Sequence, residues 1–177
     1  MKPDEFKKLV LPYGKKLFHF ARLLLKDDYA AQDAVQEVYL KLWKMHDELK
    51  KVHNPEAFML KMTKNWCLDR IKSKKPVLLE NYTPVIDHHS EDNEPHKVLE
   101  RKEKVKILYQ ILDKMPEQQK ILIKLRDIDG YELNEITDIT GMNDVTVRVN
   151  LSRARKKIRE ELIKIDSYGF EKSRTTG

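Results

Sequence analysis

The sequence predicts an all-α fold of two helical domains joined by a flexible linker, the C-terminal one a four-helix helix-turn-helix domain. Three observations predict it. Charged residues make up 36% of the chain, so a core has to be assembled from amphipathic helices and not from continuous apolar runs. Five glycines among 177 residues are too few for the tight turns of an all-β fold. The stretch from Tyr131 to Leu162 reads as helix, short turn with glycine, helix, which is the helix-turn-helix pattern.

In that stretch Leu133, Ile136 and Ile139 share one face of a short helix that meets Gly141. Glycine there can take the left-handed conformation that ends a helix. Asn143 is an N-cap candidate for the next helix. At ~100° per residue, Val147, Leu151, Ala154 and Ile158 fall on one side of that second helix. The other side carries Val145, Arg148, Val149, Ser152, Arg153 and Lys156, with Thr146 beside it. Between Asp144 and Arg159 the cations Arg148, Arg153, Arg155, Lys156, Lys157 and Arg159 face Asp144 alone. A helix does not need that excess to fold, so it asks for an anionic partner. Arg can pair with guanine edges and Val can meet thymine methyls in a major groove. A solvated basic helix on a three-helix core is the plainer alternative.

Bulk properties narrow the classes. No run of ~18 apolar residues would span a membrane, and the Met1-Lys2-Pro3-Asp4-Glu5 start lacks a signal-peptide core. One cysteine, Cys67, cannot form an internal disulfide. These features predict a cytoplasmic protein without membrane insertion. The formal net charge of +6 is uneven. Residues 1–75 are net basic, residues 76–97 net acidic and residues 98–177 net basic again. Two basic blocks across an acidic strip suggest two nucleic-acid-facing modules and a linker. The expected division is a helical domain over 4–75, a linker over 76–97, the helix-turn-helix domain over 98–165 and a disordered tail over 166–177.

In chain order, residues 4–26 read as helix, with Leu17, Phe18, Ala21, Leu24 and Leu25 on one side. Pro12 either kinks it or starts its second half. Asp27 or Asp28 can cap a second helix over about 29–45. Its core stripe is Ala31, Ala34, Val35, Val38, Leu42 and Met45. The opposite face carries Asp33, Gln36, Glu37, Leu40, Trp43 and Lys44. Leu40 and Trp43 inside a polar ring suit an interface with an apolar centre and polar rim. Equally, the two could pack under another helix of the same domain.

Asn54-Pro55-Glu56 is a strong helix start: cap, proline, acid. The helix runs to about Lys74. Phe58, Met59, Met62 and Trp66 share one face, and Lys61, Lys64, Asn65, Lys72 and Lys75 another, interrupted by Leu68. A basic stripe holding an amide, with aromatics nearby, suits phosphate contact and base recognition. A solvated lysine face is again the plainer alternative. Pro76 ends the helix. In the linker His88, His89, Glu91, Asp92 and His96 match no metal-ligand spacing, so neither metal nor cofactor is expected. Pro95 opens the next helix, Met115-Pro116-Glu117 another, and Asp129-Gly130 closes that one.

Taken together, these residues resemble a bacterial RNA polymerase sigma factor of the small extracytoplasmic-function group, over roughly residues 10–162. The C-terminal half carries the resemblance through Gly130, Glu135-Ile136, Gly141, Thr146-Val147 and Arg153-Ala154-Arg155, with Met115-Pro116 where the family has Leu-Pro. In the N-terminal half, Asp33-x-x-Gln36-Glu37-Val38 resembles the polymerase-binding helix, and Asn65 with Asp69-Arg70 the promoter-melting helix.

The resemblance implies a sigma factor, not an enzyme, that binds core polymerase and directs promoter-specific initiation. It implies that Asp33, Gln36, Glu37, Leu40 and Trp43 face the clamp helices of the large subunit. Lys61, Lys64, Asn65 and Lys72 would hold the minus-ten element, where a base is flipped out. Val145, Thr146, Arg148, Val149, Ser152, Arg153 and Lys156 would read the minus-thirty-five element. Further implied partners are the polymerase flap and an anti-sigma factor, and the linker would thread toward the active-site cleft.

Three core positions depart from the pattern: Phe58 replaces a usual Trp, Thr137 an Ala and Leu133 a Tyr. Two rival readings are a stand-alone helix-turn-helix regulator that needs no polymerase, and a metal-dependent nuclease built on the linker histidines and acids. Polymerase dependence separates the first rival and chelator sensitivity the second.

Overall fold

The computed structural model describes residues 2–73 and 95–174, with side chains described for 2–73 and 101–166. Among the described residues all regular structure is helical: α1 Pro3–Val10, α2 Gly14–Leu25, α3 Asp28–Lys44, α4 His46–Leu49, α5 Pro55–Ser73, α6 Pro95–Asp113, α7 Glu117–Ile123, α8 Leu133–Thr140 and α9 Asp144–Arg174. Packing divides the chain into two compact units. One is Met1–Tyr82 with Tyr131–Asp144, the other Thr83–Gly130 with Val145–Gly177. Residues 131–144, which follow the C-terminal helices in sequence, therefore pack with the N-terminal ones.

In the first unit, Pro12 sits in a 3₁₀ turn over Leu11–Tyr13 that separates α1 from α2. Proline has no N–H to continue the α ladder. Lys26 ends α2 in the left-handed conformation at φ 56°. Asp27 then caps α3, its carboxylate accepting from the Ala30 N–H at 3.0 Å. This turn brings α3 against α2. Leu17, Phe20, Ala21 and Leu24 of α2 are buried, as are Ala31, Ala34, Val38 and Leu42 of α3. Each fully buried Leu or Phe contributes roughly 1.5–3 kcal/mol. The helices approach closely at Gly14, where a Cβ would overlap the Tyr39 hydroxyl.

Asn54 caps α5 by accepting from the Ala57 N–H at 3.0 Å. Buried Ala57, Met59, Leu60, Thr63 and Cys67 face inward along this helix. It packs against α2, α3 and α8. Polar links tie residues 131–144 to this frame, among them Lys64 to the Thr140 carbonyl. The Tyr131 hydroxyl donates to Glu56, whose carboxylate also holds Lys16 at 2.5 Å. The Asn54 amide donates to Glu135 at 3.3 Å.

In the second unit, Ile111, Leu112, Met115, Ile121, Leu122, Ile123 and Leu125 are buried. After α7 the backbone widens into a π turn over Lys124–Ile128, closed by the Asp129 N–H to Lys124 carbonyl bond at 2.9 Å. The Lys124 ammonium and Asp129 carboxylate meet at 2.5 Å with side chains only 7% and 11% exposed. Gly130 follows at φ 79°, consistent with Asp129-Gly130 closing the helix.

The last helix runs to Arg174, through residues the sequence assigns to a disordered tail. No proline interrupts it, and the Glu161–Lys164 pair at 2.8 Å supports its exposed turns.

Candidate nucleic-acid and partner interfaces

The turn between α8 and α9 has the chemistry the sequence predicts. A capping box opens α8, with the Glu135 carboxylate accepting from the Glu132 N–H at 2.9 Å. Gly141 ends it at φ 74°, its N–H donating to the Thr137 carbonyl at 2.8 Å. Asn143 holds the N-cap position before Asp144.

The two faces of α9 separate cleanly. Val147, Leu151 and Ala154 are buried. Val145 is 69% and Val149 41% exposed, and Arg148, Ser152, Arg153 and Lys156 are exposed with them. Thr146 is half-buried, and its carbonyl accepts from the Asn150 amide at 2.9 Å. Exposed valines among cations cost solvation in the free chain and suit a groove with methyl groups and acceptors.

One of the six cations counted along this helix has a different task. Arg155 clasps Asp127 of the π turn in a two-point contact, Nε to Oδ2 at 2.9 Å and a terminal nitrogen to Oδ1 at 2.5 Å. These hydrogen bonds hold the guanidinium above its ordinary pKa. A charge count along the sequence groups Arg155 with the other cations because it cannot register a partner 28 residues away.

On α5, Lys61, Asn65 and Lys72 are exposed and form a stripe. Lys64 is the exception: it is buried at 8% exposure, and its ammonium donates to the Thr140 carbonyl of α8 at 2.8 Å. Burial pulls its pKa down, and neighbouring Lys61 adds to the shift. The geometric reason is that Lys64 lies about 60° around the helix from Lys61, toward Leu60 and Cys67. Burial also pushes the Cys67 thiol up to about 12.

On α3, Asp33, Gln36 and Glu37 are exposed, and Leu40 is 54% exposed. Trp43 is less open. Its ring packs edge-on against Phe6 of α1 at 5.0 Å and stacks on His46 at 5.2 Å. Both side chains stay exposed on this face, Leu40 at 54% and Trp43 at 41%, and Trp43 alone also contacts α1, through Phe6. Beside Leu40 lies a groove of about 420 Å³ lined by Asp33, Gln36, Glu37 and Leu40 of α3 and by Trp66 and Arg70 of α5. Trp66 shares a helical face with Met59, but it is half-buried where Met59 is fully buried. His88, His89, Glu91 and Asp92 lie outside the described residues, and so does Lys75.

Comparison with known proteins gives the family and the fold. The Sigma-70 region 2 model matches residues 9–77, and the Sigma-70 region 4 model matches residues 106–158. RNA polymerase sigma factor SigV of Bacillus subtilis is 29% identical over 161 residues, covering 89% of this chain and 90% of that protein. ECF RNA polymerase sigma factor SigW of the same organism is 23% identical, covering 90% and 89%. The fold is shared with the sigma factor RpoE of Bartonella quintana, solved with the anti-sigma factor NepR, at TM-score 0.69, 21% identity and coverage of 89% and 96%. It is shared also with CnrH, solved with the cytosolic domain of CnrY, at TM-score 0.63 and 18% identity. With regions 2 and 4 matched in order across well over half its length, the chain belongs to the sigma-70 family, in the extracytoplasmic-function group of RNA polymerase sigma factors.

Proposed function

We propose that this sigma factor directs promoter-specific initiation with three surfaces. Asp33, Gln36, Glu37 and Leu40 on α3 take the clamp helices of core polymerase, with Trp43 at the edge of that patch. Lys61, Asn65 and Lys72 on α5 hold the minus-ten element during melting. Lys64 joins them only if its contact with Thr140 is released. Val145, Thr146, Arg148, Val149, Ser152, Arg153 and Lys156 on α9 read the minus-thirty-five element, with the polymerase flap as a second contact of that domain.

One observation carries the reading beyond a stand-alone DNA binder. The first unit exposes an apolar side chain, Leu40, inside an acidic and amide rim, on the helix packed against the one that bears the basic stripe. Binding duplex DNA does not call for an acidic, apolar-centred surface, whereas docking on a protein does.

The RpoE and CnrH neighbours were each solved with a second protein, for RpoE an anti-sigma factor. This supports an anti-sigma factor as a regulator of this chain. Its place of action is the cytoplasm, where polymerase and DNA meet. No described helix is long and apolar enough to cross a membrane.

The test is run-off transcription with core polymerase on a genomic promoter library. Start sites that depend on both proteins are expected. Specific regulation of bound promoters by the chain without any affinity for core polymerase would favour the stand-alone regulator. Glu37→Lys and Leu40→Asp are expected to keep helicity and lose affinity for core.

A further inference from the structure

The groove between α3 and α5 adds two residues that the α3 patch alone does not contain. At ~100° per residue, Trp66 and Arg70 lie on the side of α5 that carries Met59 and Thr63 nearer its start. Met59 and Thr63 are fully buried, Trp66 is half-buried and Arg70 is exposed. The inward stripe of α5 therefore emerges from the core at its C-terminal end, and it does so beside Leu40. This side is about 140° around the helix from Lys61, Asn65 and Lys72, so it faces away from the stripe proposed for DNA.

The lining of the groove is chemically graded. Asp33 and Glu37 put carboxylates on the α3 wall, with Gln36 between them in sequence. Leu40 and Trp66 supply apolar surface. Arg70 holds its guanidinium 5.9 Å from the Trp66 ring centroid, a distance at which the ring face attracts and orients a cation. Trp and Arg are the side chains that most often dominate protein interfaces when seated in such a pocket.

We infer that Trp66 and Arg70 complete the polymerase-binding surface, so that α5 serves polymerase on one side and promoter DNA on the other. The inference rests on the proposed role of α3 in polymerase binding, with which the groove is continuous. The occupant is an amphipathic helix of core polymerase. An apolar side chain of that helix enters between Leu40 and Trp66, its Lys or Arg residues meet Asp33 and Glu37, and an acidic residue meets Arg70. Charge complementarity sets this polarity, because the reverse orientation would place like charges together on both walls.

The experiment measures affinity of the full chain for purified core polymerase in the absence of DNA. Variants are Arg70→Glu, Trp66→Ala and Glu37→Lys, with Lys61→Glu as the control on the opposite stripe. Arg70→Glu and Trp66→Ala are each expected to weaken binding about tenfold or more, with Lys61→Glu near wild type. Arg70 is exposed, so Arg70→Glu keeps the fold, and an unchanged thermal midpoint verifies this. Leu40→Ala combined with Trp66→Ala is expected to lose less than the product of the single losses, because both contact one partner side chain. If Glu37→Lys weakens binding while Arg70→Glu and Trp66→Ala bind as wild type, the inference is overturned and the α3 reading stands. If Glu37→Lys also binds as wild type, the α3 reading fails and the inference falls with it.

Discussion

The Lys64 ammonium donates a 2.8 Å hydrogen bond to the backbone carbonyl of Thr140. Thr140 is the last residue of α8, and its carbonyl is one of those a helix C-terminus leaves without an intrahelical donor. A cation there also opposes the negative end of the helix dipole. The bond joins a side chain from the helix assigned to promoter melting to the first helix of the helix-turn-helix.

Lys64→Ala is therefore expected to cost about 1–3 kcal/mol, the range for losing a part-buried hydrogen bond from a charged donor. Lys61→Ala, on the exposed stripe, is expected to stay within about 0.5 kcal/mol of wild type. Urea unfolding of the three proteins checks this. Equal stability of Lys64→Ala and Lys61→Ala would show that the contact contributes nothing.

Arg155 and Arg153 are expected to fail differently. Arg155→Ala breaks a partly exposed pair with Asp127 and should cost about 0.2–1 kcal/mol of stability after solvent screening. It should leave promoter preference intact. Arg153→Ala should leave stability unchanged and alter the preferred minus-thirty-five sequence, as should Arg148→Ala. A bidentate Arg–guanine contact provides ~1–3 kcal/mol of discrimination. Lys156→Ala should weaken all sequences alike and lower the salt slope by about one unit. Selection from a randomised promoter pool, with core polymerase at two salt concentrations, reads both effects. An Arg155→Ala variant with a changed promoter logo would contradict the assignment.

Asn65 is exposed on α5 between Lys61 and Lys72. If its amide holds an extruded base, it offsets part of the few kcal/mol that extrusion costs, a cost that falls when the base is already unpaired. Asn65→Ala should therefore depress transcription from duplex promoters more than from pre-opened bubbles. Equal losses on the two templates would mean that the amide plays no part in opening.

Cys67 gives the first unit an alkaline pH dependence. Burial raises its thiol from 9.0 to about 12. Below pH 9 the thiol is protonated in both folded and unfolded chains and contributes no difference. Between 9 and 12 the unfolded chain ionises and the folded one does not, so stability falls as pH rises. At about pH 10, roughly one unit into that window, the loss is about 1.4 kcal/mol. Cys67→Ala should abolish this increment. The readout is the change in unfolding free energy between about pH 8 and about pH 10, wild type minus variant, which cancels the titration of lysines and tyrosines. An identical pH slope for both proteins would show that the thiol ionises alike in the two states.

The sequence by itself determined most of what depends on one helix at a time, although it ended α9 well before Arg174. Periodicity separates Val147, Leu151 and Ala154 from the exposed side of α9, and it turns Asp33, Gln36, Glu37 and Leu40 outward on α3. Capping chemistry marks Asp27, Asn54 and Gly141, because a cap bonds to residues within one turn. The tertiary structure decided which neighbour covers each face. It set Trp43 beside Phe6, brought Trp66 and Arg70 to the groove, turned Lys64 toward Thr140, paired Arg155 with Asp127 and grouped residues 131–144 with the N-terminal helices. Those outcomes depend on contacts between residues far apart in the chain. A helical repeat reports the direction in which a side chain leaves its own axis, and it carries no information about what waits there.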